Sequence, residues 1–427
     1  MRIPTLSKVL LILGMLGVCE DQFSEVQAAP RLRVSTDFEG ASARILRIDA
    51  ENGVVEFTPG GDPERGWPCW WFFRVDGLVA DQTLTLRLRR SEATVSEPSR
   101  FLSKPLASAW AMPSQAAVSN DGQKWKQTDR GSREGDWMVY NVRAEGGAVW
   151  VAWGPPYTGQ TAAALVHDLS HRHPGVEARE LCRSREGRPV PMLRVSEGAK
   201  PAGERFGVWV QARQHAWEAG SSWVADGFGR WLLGDSAEAL WVRQNAEVFL
   251  VPVMDVDNVA TGNGGKDAIP HDHNRDWSDA PHWNASIAAQ QQIRQLVAAS
   301  RMDVFLDLHN PTPLDPTFFY ALAPEWLPET SRPWNERFRE LTYEHMNKGT
   351  RVTVMSNRPK FMGPEYHPLW KNISANWVAV NANPRTVSLC LETAWNSPAS
   401  HVEGYRAVGG RLGEALREFL GELPPRP

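Results

Sequence analysis

Three short stretches of this sequence carry residue types that could do chemistry together. The first is Gln214-His215-Ala216-Trp217-Glu218-Ala219-Gly220, which follows the apolar run Val208-Trp209-Val210. His215 and Glu218 stand one helical turn apart, so a single turn or a tight loop can aim both at one metal ion. Imidazole nitrogen and carboxylate oxygen suit zinc, and such a site leaves a position open for water. The second stretch is Val304-Phe305-Leu306-Asp307-Leu308, an apolar run that ends in His309-Asn310-Pro311. A histidine at the carboxyl end of an α/β strand sits where such sheets place ligands, although it can also simply cap the strand. The third is Val387-Ser388-Leu389-Cys390-Leu391, followed by Glu392. A carboxylate there is either a solvated cap or a general base beside a metal-bound water. Two histidines and a glutamate as ligands, with a second glutamate as base, make a complete hydrolytic zinc site.

The elements that must position these residues are of two kinds. From Arg31 to about Pro155, short alternating runs such as Val54–Phe57, Trp70–Val75, Leu84–Leu88 and Ala148–Trp153 are separated by Gly, Pro and Asp turns. This predicts an all-β sandwich domain over residues 29–156. Beyond it, the apolar strands Pro191–Val195, Phe206–Val210 and Val248–Val253 alternate with helical patterns over Ala162–His171, Ser221–Leu233, Ala285–Ser300 and Val402–Leu420. That alternation predicts an α/β domain over residues 157–427, a mixed central sheet flanked by helices.

Residues 1–28 read differently. Arg2 and Lys8 accompany a short apolar core from Val9 to Val18, and Val26-Gln27-Ala28 suits cleavage. This predicts a signal peptide and an exported, periplasmic or extracellular protein. The apolar core is too short for a membrane span, which needs roughly 20 residues. Lipid anchoring at Cys19 is disfavoured because valine precedes it.

Composition narrows the remaining classes. Of 427 residues, 42% are hydrophobic and 22% charged, which excludes a disordered or multi-pass membrane protein. Lys+Arg 46 against Asp+Glu 50, with no long run of one sign, excludes a nucleic-acid binder held by phosphate contacts. Cys69, Cys182 and Cys390 are too widely spaced for a CxxC zinc site. One pair could bridge in an oxidising compartment, but the apolar runs around Cys182 and Cys390 favour buried thiols. The 20 Trp against 6 Tyr point either to heavy core packing or to stacking surfaces, with Trp67, Trp70, Trp110 and Trp125 open to the second use.

The order HxxE, strand-terminal His, strand-terminal Glu resembles the zinc carboxypeptidases of the funnelin type. Between the first two motifs stand Asp255-Val256-Asp257-Asn258, Gly262-Asn263-Gly264 and Asp272-His273-Asn274-Arg275-Asp276-Trp277. They are similar to that family's stretch bearing the Asn-Arg pair for the substrate carboxylate. Phe38-Glu39-Gly40, Trp71-Phe72-Phe73-Arg74-Val75 and Pro155-Pro156-Tyr157-Thr158 resemble the β domain of cytosolic carboxypeptidases, which trim glutamates from tubulin tails.

The resemblance implies one zinc ion per chain, held by His215, Glu218 and His309. It implies Glu392 as the base that deprotonates the zinc-bound water, and Arg275 with Asn274 as the grip on a C-terminal carboxylate. Lys266 stands where the subfamily places a carbonyl-polarising arginine, and Tyr366 is the tyrosine nearest the family's mobile one. Asn310 departs from the small residue that many relatives carry after the ligand histidine. The family's specificity position aligns with Ala375, which argues against a basic C-terminal residue. Arg358, Lys360 and Lys371 are either solvated charges or a preference for an acidic one. The expected activity is removal of a C-terminal residue from peptides or proteins. Two alternatives stand beside it: hydrolysis of a non-standard amide, such as a peptidoglycan stem peptide or acyl-amino acid, and a non-catalytic peptide- or carbohydrate-binding protein on a degenerate fold.

Overall fold

In the strand Thr83–Arg89 the leucines at 84, 86 and 88 are fully buried while the residues between them are not. That period of two is what a sheet with one covered face requires. The same alternation builds two five-stranded sheets from the N-terminal part of the computed structural model, which describes residues 32–97, 102–312, 316–350 and 354–424. The export segment expected over residues 1–28, including Cys19, lies outside the described residues.

One sheet runs Arg33–Ser35, Phe72–Asp76, Ala148–Ala152, Ala117–Ser119, Lys126–Gln127. The other runs Ser132–Glu134, Trp137–Arg143, Thr83–Arg89, Val54–Thr58, Arg44–Asp49. Their inner faces share one core, in which the Phe57 ring of the second sheet meets Phe73 of the first edge-on at 4.8 Å. Pairing is antiparallel except between Val54–Thr58 and Thr83–Arg89. Trp70 and Trp71 precede their strand instead of opening it. Both are buried, and their indole N–H groups donate to the carbonyls of Gly40 and Ala111.

The following residues form an eight-stranded mixed sheet in the order Val176–Arg183, Pro189–Val195, Ala246–Val251, Phe206–Ala212, Met302–Thr312, Val387–Ala394, Phe318–Leu322, Lys360–Met362. The middle four, from Ala246–Val251 to Val387–Ala394, are mutually parallel. They are buried almost throughout, which is why they read as continuous apolar runs. Helices Gly159–Ser170, Ala219–Leu232, Asn284–Ala298 and Val402–Glu422 flank the sheet where the sequence pattern places them. Ser374–Asn381 is a further helix that the pattern conceals. It is buried over most of its length, so no polar face marks its period.

Parallel strands end at a common edge. The chain leaving Ala212, the end of Met302–Thr312 and the end of Val387–Ala394 therefore deliver their loops to one place, which is where the three chemical motifs lie. The two N-terminal sheets and the eight-stranded sheet belong to one compact unit.

Candidate metal centre and active site

The strand Phe206–Ala212 ends in a forced turn. Arg213 has φ +65°, a left-handed conformation uncommon for a side-chain-bearing residue, and its buried guanidinium donates to the carbonyls of Ala216 and Tyr157. Gln214 to Glu218 then fold back as a short loop before the helix Ala219–Leu232. Glu218 occupies the N-cap position of that helix without capping it. Its carboxylate turns to the imidazoles instead, with Oε1 2.8 Å from His215 Nδ1 and Oε2 2.8 Å from His309 Nδ1.

All three side chains are buried, and one ligand atom from each lies within 4.8 Å of the others. Two imidazole nitrogens and a carboxylate, converging in a buried pocket, are a donor set that fits zinc. The far nitrogens support this reading. His309 Nε2 donates to Asp307 Oδ2 at 2.9 Å, and His215 Nε2 faces Asp272 Oδ1 at 3.5 Å. Each ring thus has a carboxylate behind it that turns Nδ1 toward the centre. Asp307 is in turn held by Gln214 Nε2 and Ser374 Oγ, both at 2.5 Å.

The electrostatics follow from this crowding. Burial opposes charge on Glu218, yet the two histidines hold its carboxyl far below the usual range. Burial likewise opposes protonation of His215 and His309, but the carboxylates around them outweigh it and raise both. Glu392 is the exception. Burial pushes its carboxyl up to about 7. Its Oε1 accepts from the Cys390 thiol at 3.4 Å, while Oε2 is buried without a hydrogen-bond partner among the described residues. Residue register brings it there, since Glu392 pairs with His309 across adjacent parallel strands.

A cavity of about 290 Å³ opens over these groups and is lined by His215, Glu218, Glu392, Lys266, Asn274, Arg275 and Tyr366, so of the metal-binding, catalytic and carboxylate-binding residues expected from the sequence only the deeper His309 is missing from its wall. Asn274 Oδ1 accepts from the Ser374 N–H at 3.0 Å, which turns its amide nitrogen toward His309. Arg275 is buried, and the Tyr366 hydroxyl hydrogen-bonds both to it and to Tyr320. Lys266 Nζ lies 3.7 Å from Asp272 Oδ2 and 3.8 Å from Asp267 Oδ1. These carboxylates outweigh the opposing effects of burial and Arg275, so the ammonium is retained.

Of the three cations considered for specificity, only Lys360 lines the cavity. Arg358 and Lys371 are exposed outside it. Ala375 does not face the cavity either. It is buried in its helix, its carbonyl accepts from Ser388 Oγ, and Ile373 takes the place on the wall. Cys69, Cys182 and Cys390 are all free thiols, and Cys182 is half-buried where burial was expected.

Residues 163–305 match the profile of the zinc carboxypeptidase family, Peptidase_M14. The chain contains a zinc carboxypeptidase domain. Relatives of the zinc carboxypeptidase domain include cytosolic carboxypeptidase 2 of Danio rerio, 24% identical over 279 residues that make up 59% of this chain and 37% of that protein. An uncharacterized protein of Zymomonas mobilis is 23% identical over 310 residues, 72% of this chain and 74% of its own. In fold, the metallo-carboxypeptidase of Burkholderia cenocepacia superposes with a TM-score of 0.75 at 18% identity, covering 92% of this chain and 99% of that one. The chain therefore spans just over a third of the zebrafish protein and nearly all of the bacterial structure.

Several working groups were not evident from the sequence. Asp307 and Cys390 each lie two positions before a chemical residue on the same strand, so they share its face. That period was available as a signal. Asp272 and Tyr320 had none, because loop closure and a neighbouring strand bring them in.

Proposed function

We propose that this domain is a zinc-dependent carboxypeptidase that hydrolyses the C-terminal peptide bond of peptides or proteins. One observation carries the reading: Arg275 faces the same cavity as His215 and Glu218 of the metal centre and as the carboxylate of Glu392. A cation fixed beside a hydrolytic centre suits a substrate with a terminal carboxylate.

Zinc, when bound, supplies a Lewis acid that acidifies water and polarises a carbonyl. Glu392 accepts the proton of the attacking water and returns it to the leaving amine. Arg275 and Asn274 hold the terminal carboxylate, and the Tyr366 hydroxyl, already beside Arg275, joins that grip. Lys266 offers its charge to the developing oxyanion as a point charge, without the fork of an arginine. Lys360, on the wall formed by the Phe318–Leu322 and Lys360–Met362 strands, favours an acidic C-terminal side chain. The pattern of residues 1–28 supports export, which cell fractionation of the tagged full chain would test.

The test of the activity is a mass-spectrometric assay of the zinc-loaded protein on matched peptides with free and amidated C-termini. Loss of one terminal residue from the free acid only is expected. Internal cleavage, or equal cleavage of the amide, would sink the reading. Arg275→Ala should raise KM for the free acid at least tenfold.

A further inference from the structure

Five tryptophans join the N-terminal sheets to the metal loops. Trp67 packs on Trp110 at 5.5 Å, Trp110 on Trp217 at 5.8 Å, Trp217 on Trp153 at 5.2 Å, and Trp153 on Trp395 at 4.3 Å. Trp217 adjoins the ligand Glu218, and Trp395 directly follows the strand that carries Glu392. Trp153, Trp395 and Trp217 are buried and pack the junction, Trp217 also forming part of the cavity wall beside Glu218. Trp67 and Trp110 are not. Both are only half-buried, and both line the active cavity although they come from the N-terminal part of the chain.

Their place in the cavity says what they could touch. The grip for the terminal carboxylate, Arg275 with Tyr366, is tied to the Tyr320 side, where the two tyrosine rings stand 5.2 Å apart. Trp67 and Trp110 are tied to the ligand side instead. Trp110 leans on Trp217 beside Glu218, and Trp67 lies beside Lys266, whose Nζ is 6.0 Å from its ring centre. A substrate with its carboxylate in the first grip and its scissile bond between Glu392 and Lys266 must leave past the second wall. The Trp67 position is built, since its N–H donates to the Lys266 carbonyl at 3.0 Å and its indole to Asp267 Oδ2 at 3.0 Å.

We propose that Trp67 and Trp110 form the subsite for the side chain immediately before the scissile bond, and that they select an aromatic or bulky apolar residue there. The inference rests on the carboxypeptidase reading. It adds that the N-terminal sheets set part of the specificity. Two flat apolar faces favour planar and bulky apolar groups over small or charged ones.

The experiment uses the zinc-loaded full chain and N-acylated dipeptides. The C-terminal residue is fixed as the one wild type cleaves fastest, and the preceding residue is Gly, Asp, Leu or Phe. Wild type should prefer Phe over Gly at least tenfold in kcat/KM. In Trp110→Ala and Trp67→Ala that ratio should fall at least tenfold, and Trp110→Phe should restore most of it. Metal stoichiometry accompanies each variant. A generally disordered site lowers every rate without moving the ratio. An unchanged ratio in both zinc-retaining alanine variants, or a wild type indifferent to the preceding residue, would overturn the subsite. A wild type that cleaves no C-terminal residue from any substrate would instead overturn the carboxypeptidase reading itself.

Discussion

His309 Nδ1 lies 2.8 Å from Oε2 of Glu218, although 91 positions separate the two residues in the chain. With His215 on the other oxygen, this contact defines a centre that a cation must complete. Glu218→Gln and His309→Ala should therefore lose stoichiometric zinc, read by metal analysis of the purified protein. One-to-one zinc in His309→Ala would remove it from the ligand set.

Zinc binding should also weaken as pH falls. The metal needs neutral imidazoles, and the surrounding carboxylates raise both His215 and His309, so protons compete at higher pH than for free histidine. Below both values, affinity should drop about a hundredfold per pH unit, one factor of ten for each proton displaced. Titration with a competing chelator across pH measures it, and a flat profile would contradict the ligand assignment.

Glu392→Gln should cost about 10²–10⁴ in kcat while zinc is retained. Because the carboxylate form is the base and burial pushes it up to about 7, the rate should fall as pH drops through that region. A bound cation lowers this value, so the acid limb of the loaded enzyme lies at or below 7. Loss of that limb in a residually active variant checks the assignment.

At the amino ends of the parallel strands, opposite the site, Glu247 accepts from Arg301 Nη2 at 2.5 Å and from Arg194 Nε at 2.6 Å. Burial opposes its charge, but the two arginines hold the carboxyl below its usual value. A depressed carboxyl contributes stability that is present above its unfolded value, about 4.3, and is lost as pH falls through the folded one. Glu247→Gln should cost about 2–4 kcal/mol by chemical denaturation at neutral pH, with the difference shrinking in acid. Specific activity of the folded fraction should not change.

Gly265 has φ +77°, and a Cβ there would come within 2.6 Å of the Ala216 nitrogen and Asp255 Oδ2. Its backbone N–H donates to the Arg65 carbonyl at 2.9 Å, and a Cβ on Gly66 would meet its nitrogen at 2.3 Å. The two loops can touch only with glycine at both places. Gly265→Ala should shift Lys266 and lower kcat/KM at least tenfold with zinc retained. A wild-type rate would show that Lys266 does not need this contact.

Much of the centre was legible because its residues sit at fixed offsets within single elements. His215 and Glu218 share one turn, and His309 and Glu392 each close a buried apolar strand whose end is visible in the sequence. Lys266, Asn274 and Arg275 were found through resemblance to a family pattern, since nothing in their local spacing marks them as binders. Ala375 misled because linear spacing from Trp377 does not show which side of a buried helix faces the cavity.

What the sequence by itself determined is the alternation of strand and helix, the residues at the strand ends and so the kind of metal the centre suits. Those follow from local periodicity and from side-chain chemistry, which neighbouring positions already contain. Only the tertiary structure decided that Asp272 stands behind His215, that Lys360 reaches the cavity while Arg358 and Lys371 do not, and that Trp67 and Trp110, at the margin of their own sheets' core, line it. Those are contacts between segments far apart in the chain, set by how the sheets pack, and sequence spacing holds no measure of that distance.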